Sequence, residues 1–160
     1  MWETIAADAA AESQVWADAL FPEAERAAEP VFSTLAPPEL GLGVETIYEG
    51  YLVHYGRSRL FAPPDRDTAL LLGDYLYAHG LVRVAESGDV KAVADLAELI
   101  SRCAQLRADG LDGDGPIWAA TSRSLGDGAV ADASDEQVEA ALVAHARFVS
   151  HSDAPPETPR

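Results

Sequence analysis

Apolar residues recur at three- and four-residue intervals along most of the chain, the spacing of helices that bury one face. Over 3–20 the pattern is carried by Ile5, Ala9, Val15, Trp16 and Leu20, and Pro22 stops it by removing a backbone donor. A second short helix is expected to about Leu35, kinked at Pro30 and ended by Ala36-Pro37-Pro38. The stretch 42–60 predicts the next helix, with Val44, Ile47, Tyr48, Tyr51, Leu52, Tyr55 and Leu60 as its apolar members. Gly50 and Gly56 weaken it, by about 1 kcal/mol each in a helix interior, and mark places where a neighbouring helix comes close.

Beyond Ala62-Pro63-Pro64, Asp65 or Asp67 is placed to cap a helix running to about Glu86. It is apolar around much of its circumference, so it is expected to be the central and most buried helix. Ser87-Gly88 closes it, and Asp89 caps a further helix to about Ala108 whose stripe includes Val93, Leu96, Ile100 and Cys103. The glycine- and aspartate-rich stretch 109–115 reads as a loop, with Pro116 then opening a short helix that holds Ile117 and Trp118. A second loop covers 125–133. Ser134 and Gln137 have the spacing of a capping box, and Val138, Ala141, Leu142, His145, Phe148 and Val149 form one face of a closing helix. The expectation is therefore an all-α single bundle of five to seven helices over 1–149, followed by a loose, proline-containing tail over 150–160.

Composition supports this reading. The 160 residues suffice for one core, and helix-favouring Ala and Leu outnumber the β-branched residues that strands prefer. The net charge of −16, from 27 acidic and 11 basic side chains with Lys91 the one lysine, repels phosphate backbones and anionic membranes, so nucleic acid is not expected as a partner. No signal-like start and no apolar run of about 20 residues is present, which points to the cytoplasm. Cys103, alone among apolar neighbours, reads as a buried and inert thiol.

The candidate chemistry is sparse. Asp109, Asp112 and Asp114 suggest a calcium loop, but the twelfth position, where a glutamate is wanted, is Ala120; a glycine-aspartate turn explains them better. His54, His79, His145 and His151 lack ligand spacing, and one cysteine cannot complete a zinc set. No phosphate-cradling or dinucleotide-binding glycine motif occurs. Arg57, Arg59 and Arg66 offer guanidinium donors for a phosphate or carboxylate, while ordinary surface pairing with Asp65, Asp67 or Glu49 is the plainer account. Tyr48, Tyr51, Tyr55, Tyr75 and Tyr77 are expected to cluster between the two central helices as core with hydroxyls at its rim.

Two segments carry a resemblance. Tyr51-Leu52-Val53-His54-Tyr55-Gly56-Arg57-Ser58-Arg59, followed by Leu71-Leu72-Gly73-Asp74-Tyr75-Leu76, resembles the trans-prenyl diphosphate synthase family over about residues 45–108. In that family a helix ending in Leu-x-His-Asp-Asp-x-x-Asp precedes a Leu-x-Gly-Asp-x-Leu run, and the aspartates hold magnesium ions that bind the diphosphate. His54 matches the histidine. Tyr55 and Gly56 stand in place of the paired aspartates and Arg59 in place of the third, so the resemblance implies an isoprenoid-synthase-like half that has lost its metal ligands. Its Gly73-Asp74-Tyr75 helix and lack of aspartate motifs resemble small non-catalytic partners in that superfamily, such as component 1 of heptaprenyl diphosphate synthase. The expected function is a non-catalytic accessory or assembly subunit that binds a protein partner, a prenyltransferase or a further copy of itself, without metal or cofactor. The alternative is a binder of an isoprenoid or lipid tail between the two tyrosine-bearing helices. His54, Tyr55, Arg57, Arg59, Asp74, Tyr51 and Tyr75 are the expected contacts in either case. An enzyme using His54 with Asp74 is a third reading without a motif behind it.

Overall fold

The computed structural model describes residues 1–126 and 133–150; the tail over 151–160 and part of the loop over 125–133 lie outside the described residues. Seven α-helices are present among them and no strand, only an isolated antiparallel bridge between Leu20 and Phe61. They are α1 (Trp2–Glu12), α2 (Gln14–Asp18), α3 (Gly41–Tyr55), α4 (Arg66–Ala85), α5 (Val90–Ala108), α6 (Asp114–Ser124) and α7 (Asp135–Val149), with single 3-10 turns at Glu23–Glu25, Ser33–Leu35 and Pro38–Leu40.

The buried axis of the protein is α3, not α4. Every residue from Gly43 to Leu52 is buried, and apolar side chains collect on two sides of the helix. On one side Tyr48, Tyr51 and Leu52 meet Phe32, Trp118 and Phe148; on the other, Leu60, Phe61, Leu72 and Leu76 pack with Ile5 and Ala9 of α1. α4 presents only one side to the interior, and Leu70, Leu71 and Val82 point outward.

Glycines set the distance between α3 and α4. A Cβ on Gly80 would lie 3.0 Å from the Gly43 carbonyl oxygen, and one on Gly50 would lie 2.9 Å from the Gly73 carbonyl oxygen. Backbone therefore meets backbone near both ends of the pair. The expected close approach at Gly50 is realised against α4, and Gly56 is also crowded, but by the Phe148 carbonyl oxygen of α7.

The capping signals read from the sequence hold. Asp65 accepts from the Thr68 N–H at 2.7 Å, Asp89 accepts from Ala92 at 2.8 Å, and Ser134 and Gln137 form the reciprocal capping box. Each such cap contributes about 1 kcal/mol.

Three expected helices end differently. The first breaks at Ser13, whose hydroxyl accepts from the Val15 N–H and starts α2. The expected helix to Leu35 is two 3-10 turns joined by extended chain, because Glu45 reaches out of α3 and accepts from the N–H groups of Val31 and Ser33. The expected helix to Leu60 stops at Tyr55, because Glu49 does the same for Arg59 and Leu60. In both cases a carboxylate supplies the acceptors that a helix would otherwise provide.

Candidate functional site

Glu45 and Glu49, one turn apart on α3, share a single cation. Arg59 is 1% exposed; its Nε donates to Glu49 Oε2 at 2.8 Å and its Nη1 to Glu45 Oε2 at 2.6 Å and to the Glu29 carbonyl at 2.8 Å. Trp2 and Tyr48 rings flank the guanidinium, with centroids 4.6 and 5.0 Å from Cζ. Burial works against the charged form of Arg59, but the two carboxylates outweigh it and hold the group above its ordinary value. Arg59 thus pairs with Glu49, one of the partners expected for it, but in the interior and not at the surface, and the expectation of a ligand contact is corrected because its donors are consumed inside the fold. Arg57 faces solvent, with its guanidinium 5.6 Å from the Phe148 ring, so the two arginines do not converge on one anion.

A second polar cluster forms where α3, α5, α6 and α7 meet. Arg107 of α5 donates from Nε to Asp114 Oδ2 at 2.9 Å and from Nη2 to the Tyr51 hydroxyl at 2.6 Å. Tyr51 in turn donates to Asp114. Burial would raise the Asp114 carboxyl, but His145 at 3.6 Å, the Tyr51 hydroxyl and the Arg107 guanidinium overcome it and hold the group well below the usual carboxylate range. Burial and the Asp114 hydrogen bond push the Tyr51 phenol up, so Tyr51 stays a neutral donor. The Tyr48 phenol is raised by burial as well, and its hydroxyl lies 2.9 Å from His145 Nδ1. When the Tyr48 hydroxyl donates to that nitrogen, Nε2 is the ring nitrogen that carries a proton.

His54 and Tyr55 lie beside this cluster. With Ala104, Arg107 and Ala108 they line a surface cavity of about 330 Å³, and Arg107 also borders a second one of about 460 Å³ toward α7. His54 Nε2 is 3.2 Å from Asp74 Oδ1, and its ring stacks on Tyr77 and sits directly over Gly73, where a Cβ would be 2.4 Å away. Burial lowers its basicity more than the Asp74 carboxylate raises it, which favours the neutral ring.

The structure thus brings Tyr51, His54, Tyr55 and Asp74 to one edge and leaves Arg57, Arg59 and Tyr75 elsewhere. Tyr75 packs against Trp16 and His79, so the five tyrosines do not form the single expected cluster. The Asp109–Asp114 stretch does turn at Gly110 and Gly113, both at positive φ, but Asp114 is a buried ion-pair member at the start of α6 rather than a turn residue. Sequence reasoning missed Glu45 and Arg107, named Glu49 only as a surface partner, and took Asp114 for a turn residue. The two glutamates carried a signal, since they are the only charges in an otherwise apolar and glycine-rich stretch; Asp114 carried none. Cys103 is buried as expected, with its thiol pushed up to about 12 mainly by burial.

Among the described residues no helix is long and apolar enough to cross a membrane. Fold and site together define an all-α bundle organised around two internal charge clusters. No protein-family model, curated protein or solved structure matches the chain.

Proposed function

We propose that this chain is a non-catalytic helical accessory or assembly subunit that works by binding a protein partner on the outer face of α4. The observation that carries this reading is the row Leu71, Ala78, Val82 and Ala85, all exposed and spaced seven, four and three residues apart on one side of the helix. Leu71 is 63% and Val82 54% exposed, on a helix whose opposite side is locked to α3. Exposed apolar residues gathered on one side of a helix mark contact surfaces. Asp67, Asp74 and Glu86 also face solvent on α4, so a partner with an apolar stripe and basic flanks suits it.

The fate of the family's aspartate positions supports the non-catalytic half of the reading. Gly56 ends α3 against the α7 carboxyl end, and Arg59 is consumed by Glu45 and Glu49. A prenyltransferase catalytic chain is the first partner to try, with both chains in the cytoplasm. The alternative of an isoprenoid tail held between α3 and α4 finds little support, because the glycine contacts close that space.

The test compares the tagged chain with the double variant Leu71→Asp/Val82→Asp in pull-down, mass spectrometry and light scattering. Both sites are exposed, so the melting temperature of the variant should stay within a few degrees of the parent. A partner recovered at fixed stoichiometry by the parent and lost by the variant supports the reading. A parent that stays monomeric and recovers nothing the variant does not also recover would overturn it.

A further inference from the structure

Three sides of α4 are occupied from within this chain. Gly73 and Gly80 bring one side onto α3, Arg83 and His79 meet Asp8 of α1 on a second, and Tyr77 and Leu81 pack into the core shared with α5 on a third. The fourth side carries Leu71, Tyr75, Ala78, Val82 and Ala85, at successive spacings of four, three, four and three residues. We propose that this side is a coiled-coil seam that takes a basic amphipathic α-helix of a partner protein. The inference rests on the docking reading above and specifies what docks.

Three observations select that partner. The first is the period. Alternating steps of four and three residues repeat every 3.5 residues, the period of two helices wound about each other at a crossing angle of about 20°. Gly73 and Gly80, themselves seven residues apart, fall opposite the seam, so the repeat that sets α4 on α3 also sets the face it turns outward. Second, the seam leaves room. Ala78 and Ala85 are small and exposed, and Tyr75 leans on Trp16 and His79, so larger apolar side chains of a facing helix can enter between Leu71 and Val82. Third, its edges are acidic. Asp67 and Asp74 lie along one edge and Glu86 along the other, all exposed, while Arg83 is bonded to Asp8 and Thr46. Lysine or arginine beside the apolar row of the partner helix matches these edges. A second copy of this chain, with its net charge of −16, sets like charge against them.

The experiment is an NMR titration of the full chain, labelled at Leu, Val and Ala methyls, with synthetic helices of three heptads stapled on their outer face. One helix carries leucine at the seam positions and lysine at the flanking ones; a second has glutamate in place of lysine; a third has the composition of the first in scrambled order. The lysine helix is expected to give saturable shifts at Leu71, Ala78 and Val82, at an affinity at least tenfold above the other two and falling as salt is raised. The variant Asp67→Lys/Glu86→Lys changes two exposed positions, should melt within a few degrees of the parent, and should shift the preference toward the glutamate helix. Equal binding of the scrambled peptide would overturn the helical seam, and equal or tighter binding of the glutamate helix by the parent would overturn the basic partner. Dimerisation of the chain alone, abolished by Leu71→Asp/Val82→Asp, would assign the seam to a second copy and overturn the proposal. The pull-down separates the two levels. A partner recovered there through Leu71 and Val82, without any preference for the lysine helix, overturns this inference and leaves the docking reading in place; a preference for the lysine helix with an empty pull-down supports the seam and overturns the accessory-subunit reading.

Discussion

Replacing Arg59 with methionine removes the cation that Glu45 and Glu49 share while keeping the side-chain volume nearly constant. The effect therefore reads electrostatics rather than a cavity. Both carboxylates are fully buried, and Arg59 bonds to each through a separate nitrogen, so the variant leaves two charges without a partner in the interior. Breaking a buried pair in this way costs about 3–5 kcal/mol. Against a total stability of about 5–15 kcal/mol this is a large share. For a chain of this length each kcal/mol moves the melting temperature by about 2–4 °C, so a fall of about 6–20 °C is expected at pH 7. The sign of the pH dependence is the sharper test. The stranded carboxylates are driven to take up protons in the folded state, so the variant should recover part of its loss as the pH is lowered from 7 toward 5. Circular-dichroism melts of both proteins at three pH values measure this. A variant that melts within about 2 °C of the parent, or that shows the parent's pH dependence, would refute the account of Arg59 as the shared counter-ion.

Gly80→Ala should destabilise the protein even though alanine is the better helix former. A Cβ there would meet Ile47 Cγ1 at 2.5 Å and the Gly43 carbonyl oxygen at 3.0 Å, and overpacking of this kind costs about 1–3 kcal/mol, measured by urea unfolding; a stabilised variant would mean that α3 and α4 can separate freely. His54 should make folding pH-dependent: its folded basicity is depressed by burial, so its contribution is complete above the unfolded histidine value of about 6.5 and is lost as the pH falls through and below it. His54→Gln should flatten that part of the melting-temperature profile between pH 8 and 5; parallel profiles would show that His54 does not contribute it.

The helices with strong caps and regular stripes, α4, α5 and α7, could be read directly, because local hydrogen bonding and periodicity agree there. The failures share one cause. The stretches around Val31 and Leu60 have apolar residues at helical spacing, yet their N–H groups go to Glu45 and Glu49, residues 10 to 14 positions away in sequence. No window-based reading of residues 23–35 or 56–60 contains those acceptors. The depth of α3 was harder to read, since Gly50 and Gly56 weaken its helical signal while α4 carries apolar residues around much of its circumference. Of the candidate site, the α3 edge with Tyr51, His54 and Tyr55 was legible from the sequence. Arg107 and Asp114 were not, because nothing local distinguishes a buried aspartate from the exposed ones beside it.

The two charge clusters also differ in when they can form. The Arg59 cluster is written within one short span of chain: its bonds join residues separated by 10, 14 and 30 positions. The Arg107 cluster depends on contacts between Tyr51 and Asp114, 63 positions apart, and between Tyr48 and His145, 97 apart. Closing a longer loop costs more chain entropy before any bond repays it, and folding rates fall as contacts become less local. The loops over 21–33 and 56–61 can thus be fixed to α3 while α6 and α7 are still searching, and the cavity beside Arg107 is among the last parts of the molecule to acquire its shape.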